Sequence, residues 1–361
     1  MIITGLRGVG KTVLLNEFRS RALANDWVVA EFEVNKHNDA EFRRRIAIEV
    51  RRCLLELSPR ERRGQRLTLA ARVLRSFTMS IDPEGRLSVG FDGSSESGRG
   101  DTEDLSLDLP DLLVALGEAA QEAQRGVVLL LDEIQFLSPS QLEALIMAVH
   151  KTVQRALPVT LVGAGLPQIA ELAGEAKSYS ERLFKFPRID VLTEEDSARA
   201  LVEPAREEGV VFDDEAVALA RSVTGGYPYF IQELGSAIWP VAKAMRVHES
   251  DVAVATVAYE AKLDSSFFRV RLDRTTELER AYLRAMAELG ADPQSAADVA
   301  ALLGRTSQQC GPTRSQLIEK GLLYTPSHGY AAFTVPHFDR FMKRAVPDLV
   351  VPELRPRRPR A

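Results

Sequence analysis

The chain has 361 residues, 45% of them hydrophobic and 27% charged, which is too long for one ordinary core and too apolar for an unfolded chain. A net charge of −5 argues against a protein that coats nucleic acid regardless of sequence. Two cysteines, Cys53 and Cys310, and five scattered histidines supply neither a disulfide framework nor a structural zinc site, and no apolar run approaches the ~18–20 residues that span a bilayer. The expected setting is the cytoplasm, with no membrane contact.

Met1–Thr4 reads as a short strand feeding a glycine loop, and Leu14, Leu15, Phe18 and Ala22 then recur at helical spacing to about Leu23. Trp27–Val34 reads as the next strand. Phe42, Ile46, Val50, Leu54 and Leu57 form one apolar stripe beneath an arginine-rich helix face. From Arg43 to Arg66 nine arginines stand against three glutamates, and from Asp92 to Asp111 seven acids stand against Arg99. Opposite local charges suit a solvated helix face and an acidic loop turned toward each other. Phe77–Ile81 and Arg86–Phe91, on either side of Asp82-Pro83-Glu84-Gly85, predict a β-hairpin, and Gly93–Gly98 predicts a flexible loop.

An amphipathic helix from about Pro110 to Gln124 leads into Val127–Leu131, an unbroken apolar run that suits a strand buried on both faces of a parallel sheet. A helix over about Pro139–Leu157 and a strand over Val159–Val162 follow. Strands alternating with helices predict an α/β fold. After about Pro187 the predicted strands stop. Thr193-Glu194-Glu195-Asp196 reads as a capping box before a helix to about Glu208. Asp213 opens another helix, Gly225-Gly226-Tyr227 breaks it, and Pro228 takes a first-turn position. Three helical segments follow, Thr276–Leu289, Ala296–Leu303 and one ending at Arg314–Lys320, then strands Leu322–Tyr324 and Ala331–Val335 around a turn at His328-Gly329. That order predicts a winged helix-turn-helix. The expected division is a P-loop NTPase core over 1–187 with a hairpin and flexible insertion at 66–105, a helical lid over 188–275, the winged helix-turn-helix over 276–345, and a disordered tail over 346–361.

Gly5-Leu6-Arg7-Gly8-Val9-Gly10-Lys11-Thr12 matches GxxxxGK[ST] in full, with a strand before it and a helix after it. Glycines let the backbone curl so that its N–H groups point at phosphate oxygens beside the positive helix end. Lys11 supplies an ammonium between the β- and γ-phosphates, and Thr12 offers a hydroxyl to Mg²⁺. The distant partner is Asp132-Glu133, delivered at the carboxyl end of the apolar strand, the edge where such sheets bind ligands. Asp132 is the expected metal residue and Glu133 the expected base for the attacking water.

These motifs resemble those of AAA+ P-loop ATPases, in the branch shared by archaeal-type predicted ATPases, origin-recognition initiators and STAND signalling ATPases. The resemblance spans about residues 1–345. It is carried by GLRGVGKT at 5–12, LLLDEIQFL at 129–137, VTLVGAGLP at 159–167, ERLFKFPRIDVLTEEDSARAL at 181–201 and TGGYPYFIQELG at 224–235. It implies an ATP hydrolase that takes ATP and Mg²⁺. In such proteins Gly226-Tyr227-Pro228 would close over the adenine, with Pro228 and Tyr227 on the base, although the same proline also suits a helix start with no ligand. Arg182 falls where relatives place an arginine near a neighbour's nucleotide, to stabilise phosphoryl charge; an exposed ion-pair arginine is the other reading. Two departures stand out. The family's polar sensor position reads Gly163-Ala164-Gly165, which implies slow hydrolysis, and the chain begins inside its first strand, which implies weak adenine contacts or a start upstream.

Two functions follow as expectations. One is a nucleotide-switched regulatory or DNA-associated ATPase, with duplex DNA met through residues 305–320, where Thr306, Ser307, Gln308, Gln309, Thr313 and Arg314 could reach bases or phosphates. Gly311-Pro312 then requires the third helix to start there or kink, and 276–345 carries only eight basic residues against seven acidic ones. The other is a STAND-type scaffold that self-associates when ATP-bound and whose winged helix docks protein instead of DNA.

Overall fold

The computed structural model describes residues 1–35, 39–57, 65–79, 100–242 and 245–352. It divides into two units, Met1–Gly5 with Lys11–Ile189, and Leu6–Gly10 with Asp190–Ala361.

The first unit contains β1 (Ile2–Thr4), α1 (Lys11–Ala24), β2 (Val28–Glu33), α2 (Asp39–Leu57), α3 (Gln65–Met79) and α4 (Leu105–Glu122). It continues with β3 (Val127–Asp132), α5 (Pro139–Gln154), β4 (Val159–Gly165), α6 (Ile169–Ala176) and α7 (Ser180–Leu183). The four strands form a parallel sheet in the order β1-β4-β3-β2. The apolar run of β3 is buried throughout, and its alternate residues enter two cores. Val127, Leu129 and Leu131 join α2 to α5 on one face, whereas Val128 and Leu130 meet Leu15 of α1 on the other. This is why β3 shows no polar alternation. Beyond β1 the chain returns alongside the sheet: the Ile2 and Thr4 amides donate to the carbonyls of Lys185 and Pro187, each at 2.8 Å. The edge of β1 is thereby covered.

The stripe Phe42, Ile46, Val50, Leu54 and Leu57 is buried as its spacing requires. Among the described residues, the arginine face meets the acidic segment where Arg43 pairs with Asp108 at 2.8 Å. The expected hairpin is corrected where it is described. Phe77, Thr78 and Met79 form the last turn of α3, because Leu67, Ala70, Leu74 and Phe77 repeat at helical spacing and bury together. The remainder of that hairpin and the loop at 93–98 lie outside the described residues. Helix α4 also starts earlier than expected, at Leu105. Its cap is Asp104, whose side chain accepts from the Ser106 amide at 2.8 Å, so Pro110 sits inside the helix and not at its start.

The second unit contains α8 (Glu194–Glu207), β5 (Val211–Phe212), α9 (Asp214–Thr224), α10 (Pro228–Ile238), β6 (Arg246–Val247), α11 (Glu249–Lys262) and, after a π turn at Leu263–Phe268, α12 (Arg269–Leu272). Strands do not stop at Pro187 as expected, since β5 and β6 pair in parallel; two-residue strands carry no periodicity to read. Then come α13 (Glu277–Leu289), β7 (Gln294–Ser295), α14 (Ala296–Leu302), α15 (Ser307–Glu319), β8 (Leu323–Tyr324), β9 (Tyr330–Phe333) and α16 (Phe338–Ala345), with the three strands ordered β7-β9-β8 and antiparallel. Helix α15 does not start at Pro312. A capping box of Thr306 and Gln309 opens it, and Pro312 lies in its second turn. The buried Glu279 of α13 accepts from Lys320 Nζ at 2.6 Å and from the Thr276 amide at 2.7 Å, which ties the end of α15 to α13.

Candidate active site

The sheet order places the end of β1 and the end of β3 on either side of β4, all three running the same way. Residues that follow β1 and β3 therefore emerge at one edge of the first unit. Lys11 opens α1 and is 6% exposed; its ammonium folds back to donate to the Gly5 carbonyl at 2.9 Å. Thr12, next along the helix, is exposed, and its hydroxyl donates to Asp132 Oδ2 at 2.6 Å. The other oxygen of Asp132 accepts from the Glu133 amide at 2.8 Å. Two residues separated by 120 positions thus meet through their side chains.

Glu133 has φ 54°, in the left-handed region. A non-glycine residue there is strained, and such strain gathers at functional sites. The turn ends β3 abruptly and starts a 3-10 segment, Ile134–Phe136. That segment directs Gln135 inward, where it is 8% exposed. Gln135 Nε2 donates to Glu133 Oε2, and Gln135 Oε1 accepts from the Leu166 amide at 3.0 Å. A Cβ on Gly165 would stand 2.8 Å from Gln135 Oε1, so the bare end of β4 is what admits the glutamine. No polar side chain at 163–165 was expected, and none is there; the polar group beside Glu133 comes from the preceding turn. Gln135 lies outside the strand after the acidic pair, where a polar sensor was expected.

The remaining loop residues, Leu6–Gly10, belong to the second unit. Gly8 and Gly10 have φ of 86° and 94°, conformations that glycine adopts at no steric cost. The Tyr229 amide donates to the Gly8 carbonyl at 3.2 Å, and the Tyr227 ring lies against Gly8. Tyr227 is 1% exposed and burial pushes its phenol up. Pro228 holds the first turn of α10. Arg271 of α12 is pulled down by burial and then by the charge of Arg7. Among the described residues Arg7 Nε, Arg271 Nε and Tyr227 Oη are buried polar atoms with no hydrogen-bond partner. Arg271 carried no motif that could have singled it out.

Arg182 is exposed on α7. Among the described residues no hydrogen bond or ion pair joins it to Lys11, Thr12, Asp132 or Glu133. Nor does any group of three or more His, Cys, Asp or Glu among them suffice to hold a metal ion alone. A hydroxyl beside one carboxylate is instead the donor set that suits Mg²⁺, which keeps waters and takes substrate phosphates as its other ligands.

Of the residues expected to reach DNA, Thr313 is 6% exposed and does not present itself to a groove. Thr306 and Gln309 bond each other in the cap of α15, and the Arg305 guanidinium donates to the Pro352 carbonyl at 2.6 Å. Ser307 and Gln308 are exposed.

Residues 1–162 match the AAA ATPase domain family, and residues 265–342 match a domain family of unknown function. No curated protein sequence matches the chain. Among solved structures, the Walker-type ATPase of Pyrococcus abyssi is similar at 14% identity and a TM-score of 0.52, over 95% of this chain and 90% of that one. The ORC2 protein of Aeropyrum pernix, solved in ADPNP and ADP complexes, gives 15% identity and a TM-score of 0.49 over 96% and 88%. Cdc6p of Pyrobaculum aerophilum gives 15% and 0.44 over 95% and 87%. The first of these, with the parallel sheet, establishes the P-loop NTPase fold. No helix among the described residues is long and apolar enough to cross a membrane.

Proposed function

We propose that this chain is a cytoplasmic, Mg²⁺-dependent ATPase that works as a nucleotide-switched regulatory protein. The observation that carries the reading is the 2.6 Å bond between the Thr12 hydroxyl and the Asp132 carboxylate. It joins the loop that would hold triphosphate to the strand end that would hold the metal. Lys11 exchanges its bond to the Gly5 carbonyl for phosphate oxygens, and the loop amides of Leu6–Gly10 cradle the chain of phosphates. Magnesium bound at Thr12 and Asp132 would neutralise charge on the phosphates. Glu133 accepts the proton of the attacking water. Tyr227 and Pro228 meet the adenine in this reading, and Arg182 serves a neighbouring copy in a nucleotide-dependent assembly.

For the carboxyl-terminal segment, the order α13-β7-α14-α15-β8-β9 supports a winged helix, with duplex DNA met through residues 305–320 by way of Ser307 and Gln308. A second reading, a STAND-type scaffold whose winged helix docks protein, is favoured by the burial of Thr313 and by the tie between Arg305 and Pro352. Two measurements test these statements. Lys11→Ala is expected to weaken ATP binding about 10–100-fold, the worth of hydrogen bonds from a charged group; unchanged affinity would place the nucleotide elsewhere. Duplex binding across a salt series separates the two readings of the winged helix. A steep dependence that flattens in Arg305→Ala/Arg314→Ala supports DNA, and ATP-dependent oligomers without duplex affinity support the scaffold.

A further inference from the structure

We infer that Gln135 is a positioning residue for the hydrolytic step, holding the Glu133 carboxylate in register with Gly5 and Lys11 and taking the place of a polar side chain on β4. The inference rests on the reading of Glu133 as the base. Its ground is a continuous set of hydrogen bonds inside the first unit. Lys11 donates to the Gly5 carbonyl at 2.9 Å, the Gly5 amide donates to the Gly165 carbonyl at 3.2 Å, the Leu166 amide donates to Gln135 Oε1 at 3.0 Å, and Gln135 Nε2 donates to Glu133 Oε2. Each link is to backbone or to a side chain already in the site. One amide therefore ties the carboxylate to the residue that directly follows β4, and the end of β4 is itself bonded to the first residue of the loop.

Three features argue that this arrangement is built for the glutamine. Gln135 is nearly buried, so both ends of its amide need partners, and both have them. Glu133 sits at a strained φ of 54°, which frees its side chain from the line of β3 and leaves its direction to be set by contacts. The β4 residues that face the turn are glycines. A Cβ at Gly163 would stand 2.9 Å from Ile134 Cδ1, and one at Gly165 would stand 2.8 Å from Gln135 Oε1. The missing side chains on β4 and the glutamine in the turn are thus two parts of one solution. With Oε2 engaged, Oε1 of Glu133 remains to accept the proton of water. A carboxylate left to rotate would spend most of its time elsewhere, and misplacement of about 1 Å can cost about 100-fold in rate.

The test uses the full chain, with steady-state ATP turnover in Mg²⁺ and ATP affinity by calorimetry. Gln135→Met keeps the volume and removes both bonds. Gln135→Glu keeps the acceptor for the Leu166 amide, and with it the local fold, but offers Glu133 no donor. Both variants are expected to lower kcat about 10–100-fold while KM and affinity for ATP stay near wild type. Gln135→Met/Glu133→Gln should turn over no more slowly than Glu133→Gln alone, because a positioning residue has nothing left to position. Full activity in Gln135→Glu would assign the glutamine a purely structural part, and losses that multiply in the double variant would show that it acts independently of Glu133. Either outcome overturns this inference and leaves the base in place. Wild-type turnover in Glu133→Gln alone would instead remove the base, and this inference with it.

Discussion

ATP turnover by Glu133→Gln is expected to fall about 10²–10⁴-fold, the range that positioned acid–base groups contribute, while ATP binding persists. The substitution changes almost nothing in shape. The backbone at 133 keeps its left-handed turn, its amide still donates to Asp132 Oδ1, and the bond from Thr12 to Asp132 is untouched. What disappears is an acceptor able to take a proton from water. Phosphate release and nucleotide binding, measured on one preparation, separate the two effects. A protein that binds ATP and holds it unhydrolysed is the expected result. Turnover close to wild type would mean that water is activated by another group and that the strained turn at Glu133 serves the fold alone.

The glycine loop and the acidic pair could be nominated from the sequence because their chemistry is local. Eight contiguous residues set the loop, and five apolar residues before Asp132 announced a strand covered on both sides, as the division of Val127–Leu131 between two cores bears out. The stripe from Phe42 to Leu57 was legible for the same reason. What escaped depended on distant partners. Gln135 looks like an ordinary polar residue until β4 is laid beside it and the Leu166 amide appears 3.0 Å away. Arg271 lies in a four-residue helix after a π turn, where no period can be counted, and the charge of Arg7 acts on it from more than two hundred residues earlier in the chain. Phe77-Thr78-Met79 misled through β-propensity, which a stripe of buried residues on α3 overrides. Thr313 misled through position. Its place on α15 suggested exposure, but packing beneath that helix buries it.

Asp108→Ala is expected to destabilise the first unit by about 3–5 kcal/mol, the cost of leaving a buried charge without its partner. The Asp108 side chain is 0% exposed and that of Arg43 is 7% exposed, so neither is solvated by water. Arg43 and Asp108 hold further partners around the entry to α4. Arg43 donates to Asp108 Oδ2 at 2.8 Å and to the Glu103 carbonyl at 2.7 Å, and its guanidinium lies 5.2 Å from the centre of the Phe77 ring. Asp108 also accepts from the Thr102 amide and hydroxyl, at 3.0 and 2.8 Å. The pair therefore pins α2, α3 and the entry to α4 together, with the carboxylate favourably placed in the first turn of its helix. Urea unfolding should show a lower midpoint with an unchanged slope, since the surface exposed on unfolding is the same. Arg43→Met/Asp108→Leu supplies the contrast, because apolar side chains that replace both charges can be close to neutral. A large loss in the single variant and a small one in the double identifies the stranded charge as the cause. A single-variant loss of about 0–1 kcal/mol, the worth of a surface ion pair, would show that water reaches Arg43 and that the helices are held by their apolar stripes alone.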